Sequence, residues 1–205
     1  MLGKGFTRSA QCRLRLFSFV LFEAMNKRIM PTQPLTFQTT LSSVNATLAF
    51  GAVLGARLNA AWRQQRPVRV LLLYGDLGCG KTTLTRGLAE ALPGGELAEV
   101  SSPSFTVCNV YPTQPEIVHC DLYRSDKADG FADGLPEEAE EALDRADGSC
   151  VLVEWAQRLA PGDIPSERLD IHMKSCHEMH SVTLCAYGSA ATRLLQELAV
   201  DMAAS

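Results

Sequence analysis

The chain has 205 residues, of which 46% are hydrophobic and 20% are charged, and its formal net charge is −4. This length favours one compact domain, and this composition excludes a chain that is disordered throughout, because disordered chains are poor in aliphatic side chains. Residues 1–35 contain six basic residues and one acidic residue, a net charge of +5, so the remaining residues carry −9. That acidic remainder is a poor candidate for direct binding to DNA or RNA, whose phosphates need concentrated lysine and arginine.

Residues 1–34 differ from the rest of the chain because they are basic and show no sustained hydrophobic period. Three interpretations remain open: a secretory signal, an organellar transit peptide, or a mis-assigned start with Met25 or Met30 as the initiator. We favour the mis-assigned start. The apolar run Leu16–Phe22 is short for a signal, and it falls far below the roughly 20 residues that cross a bilayer. We therefore expect no membrane association and a single domain over residues 35–205.

The first half of this domain predicts a helix, a strand, a loop and a second helix. From Ser43 onward, hydrophobic residues recur at steps of three and four, which predicts a helix with a serine N-cap that ends near Arg66. The nearly continuous apolar run Val68–Tyr74 is typical of a strand buried on both faces of a parallel sheet. A glycine-rich turn and an amphipathic helix follow, and Pro93 ends that helix.

The second half predicts strands separated by polar turns. We expect strands over residues 105–111, 116–121 and 150–153, a hairpin over residues 169–173 and 181–187, and a closing helix over residues 190–202. Residues 126–147 carry nine acidic and two basic residues, and Pro136 marks a helix start among them. This acidic stretch is either a solvated surface or a docking face for a basic partner.

The most specific motif runs from Gly75 to Thr82 and matches G-x-x-x-x-G-K-[ST] in full, between an apolar strand and a helix. Gly78 and Gly80 let the backbone curl so that successive N–H groups point at phosphate oxygens, and the helix N-terminus adds further N–H groups. Lys81 brings a positive charge to the terminal phosphates, and the threonine hydroxyl offers a ligand to Mg²⁺. The motif therefore predicts a site for a nucleoside di- or triphosphate.

The cysteines support two further expectations. Cys79 lies inside the loop, beside Lys81 and at a helix N-terminus, and such surroundings are expected to lower the pKa of a thiol. We expect a thiol reagent to inactivate the protein there and nucleotide to protect it; the alternative is a small residue that merely fits the loop. The seven cysteines are odd in number and scattered, which argues against a disulfide framework and favours a reducing compartment such as the cytoplasm.

Two carboxylates follow buried strands of the predicted sheet. Asp121 comes at the end of one strand and Glu154 at the end of the next. Phosphoryl-transfer sites of this kind need a carboxylate at a strand end, which holds Mg²⁺ directly or through water and orients the attacking water. Both residues are therefore candidate catalytic groups, together with Lys81.

Four motifs occur in a fixed order along the chain: Gly75–Thr83, Ser102–Phe105, His119–Arg124 and Val153–Trp155. In order and spacing they resemble the TsaE family, the small ATPases of bacterial threonylcarbamoyl-adenosine tRNA modification, over about residues 42–187. The resemblance implies an α/β fold, a three-layer α/β/α sandwich of the P-loop NTPase type. Its central sheet would be largely parallel, with an antiparallel C-terminal hairpin.

The resemblance also implies a set of site residues. The residues at the ATP site would be Gly75, Leu77, Gly78, Cys79, Gly80, Lys81, Thr82, Thr83, Asp121 and Trp155. Thr82 and Glu154 would hold Mg²⁺, and Ser102–Phe105 would form a switch-like segment near the terminal phosphate. The family usually has alanine where Cys79 stands and often has an arginine where His180 stands.

The function implied by the resemblance is ATP hydrolysis in company with two partner proteins, TsaB and TsaD. TsaD transfers the threonylcarbamoyl group to adenosine 37 of tRNAs that read ANN codons, and hydrolysis resets the complex, so this chain would contact tRNA only through its partners. Two alternatives remain. The first is a small-molecule kinase on the same scaffold. Such kinases generally have an arginine-rich lid, and the corresponding region of this chain is acidic, which counts against this alternative. A regulatory module would bind nucleotide without turning it over.

Overall fold

The computed structural model describes residues 33–103, 106–124, 132, 134–145, 148–176 and 179–204. The interpretations offered for residues 1–32 lie outside these ranges. So do two members of the predicted switch-like segment, Ser104 and Phe105, and much of the acidic stretch.

A seven-stranded sheet lies at the centre of the molecule. Its strands are β1 Leu35–Leu41, β2 Val70–Tyr74, β3 Cys108–Tyr111, β4 Glu116–Asp121, β5 Ser149–Glu154, β6 Arg168–Cys176 and β7 Met179–Tyr187. Their order is β1-β7-β6-β2-β5-β4-β3. Strands β6, β2, β5 and β4 run parallel to one another, whereas β7, β1 and β3 pair antiparallel with their neighbours. The predicted parallel centre and the antiparallel C-terminal hairpin are confirmed.

Helices cover both faces of this sheet, which gives the predicted three layers. They are α1 Val44–Arg63, α2 Lys81–Glu90, α3 Glu137–Asp144 and α4 Ser189–Ala204. Helices α1, α2 and α4 bury their leucines against one face, and α3 packs on the other with the short 3-10 turn Ala156–Arg158. Ser43 caps α1, accepting a hydrogen bond from the amide of Ala46 at 3.1 Å. No helix in the described part of the chain has the length and apolar character that a bilayer crossing requires.

Strand β1 is an element that the sequence analysis does not predict. Its side chains alternate between solvent and core, with Phe37, Thr39 and Leu41 buried and the residues between them exposed. It pairs with β7 along its whole length. This alternation is the pattern of a half-buried strand, but its threonine-rich composition lowers the apolar contrast on which such a prediction depends.

A disulfide joins Cys108 on β3 to Cys120 on β4. The two residues are direct partners in the antiparallel register, which brings their side chains together on one face of the sheet. The expectation of a chain without disulfides is therefore wrong for this pair. The count and spacing of the cysteines carry no information about which of them a strand register will pair. Cys79, Cys150 and Cys185 are free thiols.

Glycines set the separation of α1 and α2. A Cβ atom on Gly87 of α2 would lie 2.2 Å from the carbonyl oxygen of Leu48, and one on Gly51 of α1 would lie 2.4 Å from that of Leu84. Both distances are far shorter than any real contact, so the two helix backbones approach this closely because no side chain separates them. The glycine-rich segment Gly75–Thr82 is called the phosphate loop below. Since α2 starts within it, at Lys81, this contact also positions the loop.

We expect Gly87→Ala to lower the free energy of unfolding by about 1–3 kcal/mol, because overpacking forces the helix backbones apart. This is the net loss, after the gain of up to about 1 kcal/mol from the better helix propensity of alanine. Urea denaturation measures the effect. Gly162→Ala is the control, because nothing lies within 4 Å of a Cβ atom there. Equal stability of the two variants would contradict the packing role of Gly87.

Candidate active site

The ends of three parallel strands bring the predicted site together. In the sheet register Glu154 pairs with Leu73 on one side and with Asp121 on the other, and the glycine-rich loop directly follows β2. The two carboxylates are 3% and 6% exposed, respectively. The structure therefore gathers the loop and both predicted carboxylates at one edge of the sheet, the arrangement on which open α/β folds build their ligand sites.

The loop adopts a backbone that only glycine tolerates easily. Gly75, Gly78 and Gly80 have φ angles of 142°, 79° and 96°, in or near the left-handed region. A Cβ atom on Gly75 would lie 2.3 Å from the carbonyl oxygen of Met173. The side chain of Leu77 is 77% exposed, so its part in phosphate binding would come from its backbone N–H alone.

Lys81 folds its side chain back into the loop. Its Nζ donates hydrogen bonds to the carbonyl oxygens of Gly75 at 2.9 Å and Asp76 at 3.0 Å. The same ammonium group lies 4.4 Å from the ring centroid of Trp155, a favourable cation–π distance. Trp155 has a φ angle of 58° and directly follows β5, at the start of the 3-10 turn Ala156–Arg158. A phosphate would compete with the two carbonyls for the ammonium protons.

Thr82 and Glu154, the two residues predicted to hold Mg²⁺, are hydrogen-bonded to each other. The Thr82 hydroxyl donates to Oε1 of Glu154 at 2.8 Å. A hydroxyl that donates its proton keeps its lone pairs, so Thr82 can offer its oxygen to a cation without losing this bond. Hydroxyl and carboxylate oxygens are the hard ligands that Mg²⁺ prefers. The donor set of these residues therefore fits Mg²⁺. Thr83 follows in the first turn of α2, half-buried.

Asp121 accepts its hydrogen bonds from residues outside the Thr82–Glu154 pair. Ser102 Oγ donates to its Oδ2 at 2.7 Å, and the amide of Tyr123 donates to its Oδ1 at 2.8 Å. The carboxylate is therefore anchored through both oxygens. Because Ser102 begins the predicted switch-like segment, this hydrogen bond connects that segment to the strand end that carries Asp121.

His119, for which the sequence predicts no role, lies beside Glu154 in the structure. Its ring is completely buried, with Nε2 at 3.1 Å from Oε1 of Glu154 and Nδ1 at 3.1 Å from the hydroxyl of Tyr111. A usable pattern was present, because residues two apart on a strand share a face, and His119 therefore points to the same side as Asp121.

His180 is a second residue whose contact the sequence did not reveal. Its Nδ1 lies 2.6 Å from the carbonyl oxygen of Cys79, so β7 reaches the phosphate loop across 101 positions of sequence. In a trans peptide the carbonyl and the following N–H point in opposite directions. Holding the Cys79 carbonyl therefore also fixes the direction of the Gly80 N–H within the loop.

The expected lowering of the Cys79 pKa is wrong. The side chain is 1% exposed, and burial raises the pKa of its thiol above the ordinary value, although the Lys81 ammonium opposes this shift. Desolvation penalises the thiolate more than one neighbouring charge favours it. The sequence showed the lysine and the helix N-terminus but not the depth of burial.

Accordingly, we expect a thiol reagent to leave Cys79 unmodified in the folded protein at neutral pH and to modify it once the chain is unfolded. Mass spectrometry of the labelled peptides measures this directly. The partly exposed Cys185 serves as the internal reference for accessible thiols. Rapid labelling of native Cys79, with protection by nucleotide, would contradict the structure and restore the original expectation.

Comparison with known proteins identifies relatives across most of the chain. The model of the family described as "Threonylcarbamoyl adenosine biosynthesis protein TsaE" matches residues 41–182. The protein of Bacillus subtilis (strain 168) named "tRNA threonylcarbamoyladenosine biosynthesis protein TsaE" is 38% identical over 149 residues, which cover 70% of this chain and 84% of the relative. The protein of the same name from Rickettsia bellii (strain RML369-C) is 33% identical over 144 residues, covering 69% and 89%.

A solved structure shares the fold. The crystal structure of YdiB from Bacillus subtilis superposes with a TM-score of 0.57 at 28% sequence identity. The superposition covers 82% of this chain and 97% of YdiB. The family match over residues 41–182 contains the phosphate loop and both strand-end carboxylates.

Proposed function

This chain belongs to the TsaE family, and on this premise we propose that it is a Mg²⁺-dependent ATPase of tRNA threonylcarbamoyladenosine biosynthesis. In this proposal it acts in the cytoplasm with TsaB and TsaD, and it supports the modification of adenosine 37 in tRNAs that read ANN codons. The names of the relatives support the pathway. The observation that supports the ATPase activity is the Thr82–Glu154 hydrogen bond of 2.8 Å beside a complete phosphate loop.

Each residue of the site has a part in this activity. The N–H groups of the loop and of the first turn of α2 would bind the phosphate oxygens. Lys81 would move its ammonium group from the loop carbonyls to the terminal phosphates. Thr82 and Glu154 would hold Mg²⁺, which when bound neutralises developing charge on the phosphates. Glu154 would also orient the attacking water, and Asp121 would couple the site to Ser102.

Calorimetry and phosphate release test the proposal together. We expect ADP and ATP to bind the pure protein in the presence of Mg²⁺, and phosphate release to rise when TsaB, TsaD and tRNA are added. Transfer of phosphate to a small acceptor would instead support a kinase. Tight binding with no turnover in any mixture would support a regulatory module. An absence of binding heat at millimolar nucleotide would contradict the prediction that the loop binds nucleotide at all.

A further inference from the structure

We propose that His119 is a positioning residue: it holds the Glu154 carboxylate in the orientation that the binding of Mg²⁺ requires. The inference deepens the proposed ATPase function and rests on it. It assigns to a completely buried side chain on β4 a role in the chemistry at the end of β5. Tyr111, on the neighbouring strand β3, hydrogen-bonds to Nδ1, the ring nitrogen of His119 that does not face Glu154.

The geometry at Glu154 is the observation that carries this proposal. Two donors converge on the single oxygen Oε1: the Thr82 hydroxyl at 2.8 Å and His119 Nε2 at 3.1 Å. Two hydrogen bonds on one oxygen fix the rotation of the carboxylate about its last bond. Among the residues that the structure describes, Oε2 has no hydrogen-bond partner. That oxygen is therefore left for water or a cation.

The hydrogen bond between His119 and Glu154 has one possible direction. A carboxylate can only accept, so Nε2 must carry the proton of its bond to Glu154. The Tyr111 hydroxyl lies 3.1 Å from Nδ1 and 3.0 Å from the carbonyl oxygen of Ser101. The Tyr111 hydroxyl can donate its proton to either of these two atoms. Nε2 is the donor to Glu154 in either arrangement.

Burial makes this arrangement rigid. His119 is 0% exposed and Tyr111 is 3% exposed, so water does not replace either contact. Partners that orient a metal-side carboxylate typically contribute about 10–100-fold to metal affinity or activity. The hydrogen bonds that join Glu154, His119 and Tyr111 continue to the carbonyl oxygen of Ser101. The next residue, Ser102, donates to Asp121. Both carboxylates are thus braced against the same short segment.

Two substitutions separate positioning from packing. In His119→Gln the side-chain amide nitrogen reaches the place of Nε2 and can still donate to Glu154, whereas in His119→Asn it reaches only the place of Nδ1. Both remove the aromatic ring from the core. A purely structural role would therefore make the two variants similarly defective, and a positioning role would separate them.

Two measurements are compared for the wild type and both variants. The first is the Mg²⁺ effect on ADP affinity, measured by calorimetry with Mg²⁺ and with EDTA, and the second is kcat and KM for ATP with TsaB, TsaD and tRNA present. We expect His119→Asn to reduce kcat by about 10–100-fold, with little change in KM, and to diminish the Mg²⁺ effect. We expect His119→Gln to recover most of both.

Equal losses in the two variants, or an unchanged Mg²⁺ effect in His119→Asn, would overturn the proposal. If neither variant folds, Tyr111→Phe takes their place, because it removes only the hydroxyl behind the ring; wild-type kcat and Mg²⁺ effect in that variant would overturn it as well. Failure of the proposed function gives a different result. A wild-type protein without turnover disproves the ATPase, while the calorimetric comparison still tests His119.

Discussion

Lys81→Ala is expected to weaken ATP and ADP binding by about 10- to 100-fold, because a hydrogen bond to a charged group contributes about 1.5–3 kcal/mol. The ammonium group is already inside the loop, at 2.9 Å from the Gly75 carbonyl and 3.0 Å from that of Asp76. Substitution of Lys81 by alanine removes both of these hydrogen bonds and the positive charge from the loop. Calorimetric titration with each nucleotide measures the loss of affinity.

The control for this substitution removes a positive charge far from the loop. Arg66 is exposed and lies just before β2, at the edge of the sheet opposite the phosphate loop, so Arg66→Ala is expected to bind nucleotide as the wild type does. Thermal unfolding of both variants checks that they remain folded. Undiminished nucleotide affinity in Lys81→Ala would show that the loop does not bind phosphate in the proposed way.

The local parts of the fold could be predicted from the sequence because they depend on neighbouring residues. The run Val68–Tyr74, the loop glycines and the leucines of α2 contain strand, turn and helix in one stretch, and the structure has them there. Strand β1 was missed because it gains its stability from pairing with β7. Its own threonines give a weak hydrophobic alternation.

The sequence likewise predicts some residues of the candidate site but not the contacts of others. Asp121 and Glu154 could be selected because each follows a buried strand, and parallel strands end at one edge of a sheet. The contacts of His119 with Tyr111 and Glu154 depend on strand order and on side-chain reach across three strands, which no spacing in the sequence encodes. The buried thiol of Cys79 shows the same limit, since its pKa is set by desolvation in the folded loop.

Glu154→Gln is expected to bind ATP with nearly wild-type affinity in EDTA, to show a smaller Mg²⁺ effect on that affinity, and to lose turnover by about 100-fold or more, the usual contribution of a group that handles protons or orients water. The amide has almost the size of the carboxylate and can still accept from Thr82 through its oxygen. It lacks the negative charge that the metal-side role requires. Separate measurements of nucleotide affinity and of single-turnover phosphate release distinguish binding from chemistry.

Glu116→Gln supplies the matched control, since it makes the same chemical change at the other end of the parallel sheet. Glu116 begins β4 and pairs with Arg145 at the surface, remote from the phosphate loop, so its variant should keep the wild-type rate. Loss of turnover at Glu154 but not at Glu116 would mean that the charge matters at the strand end beside Thr82. Wild-type turnover in Glu154→Gln would assign that chemistry to another residue, and the carboxylate still available at the same edge of the sheet is Asp121.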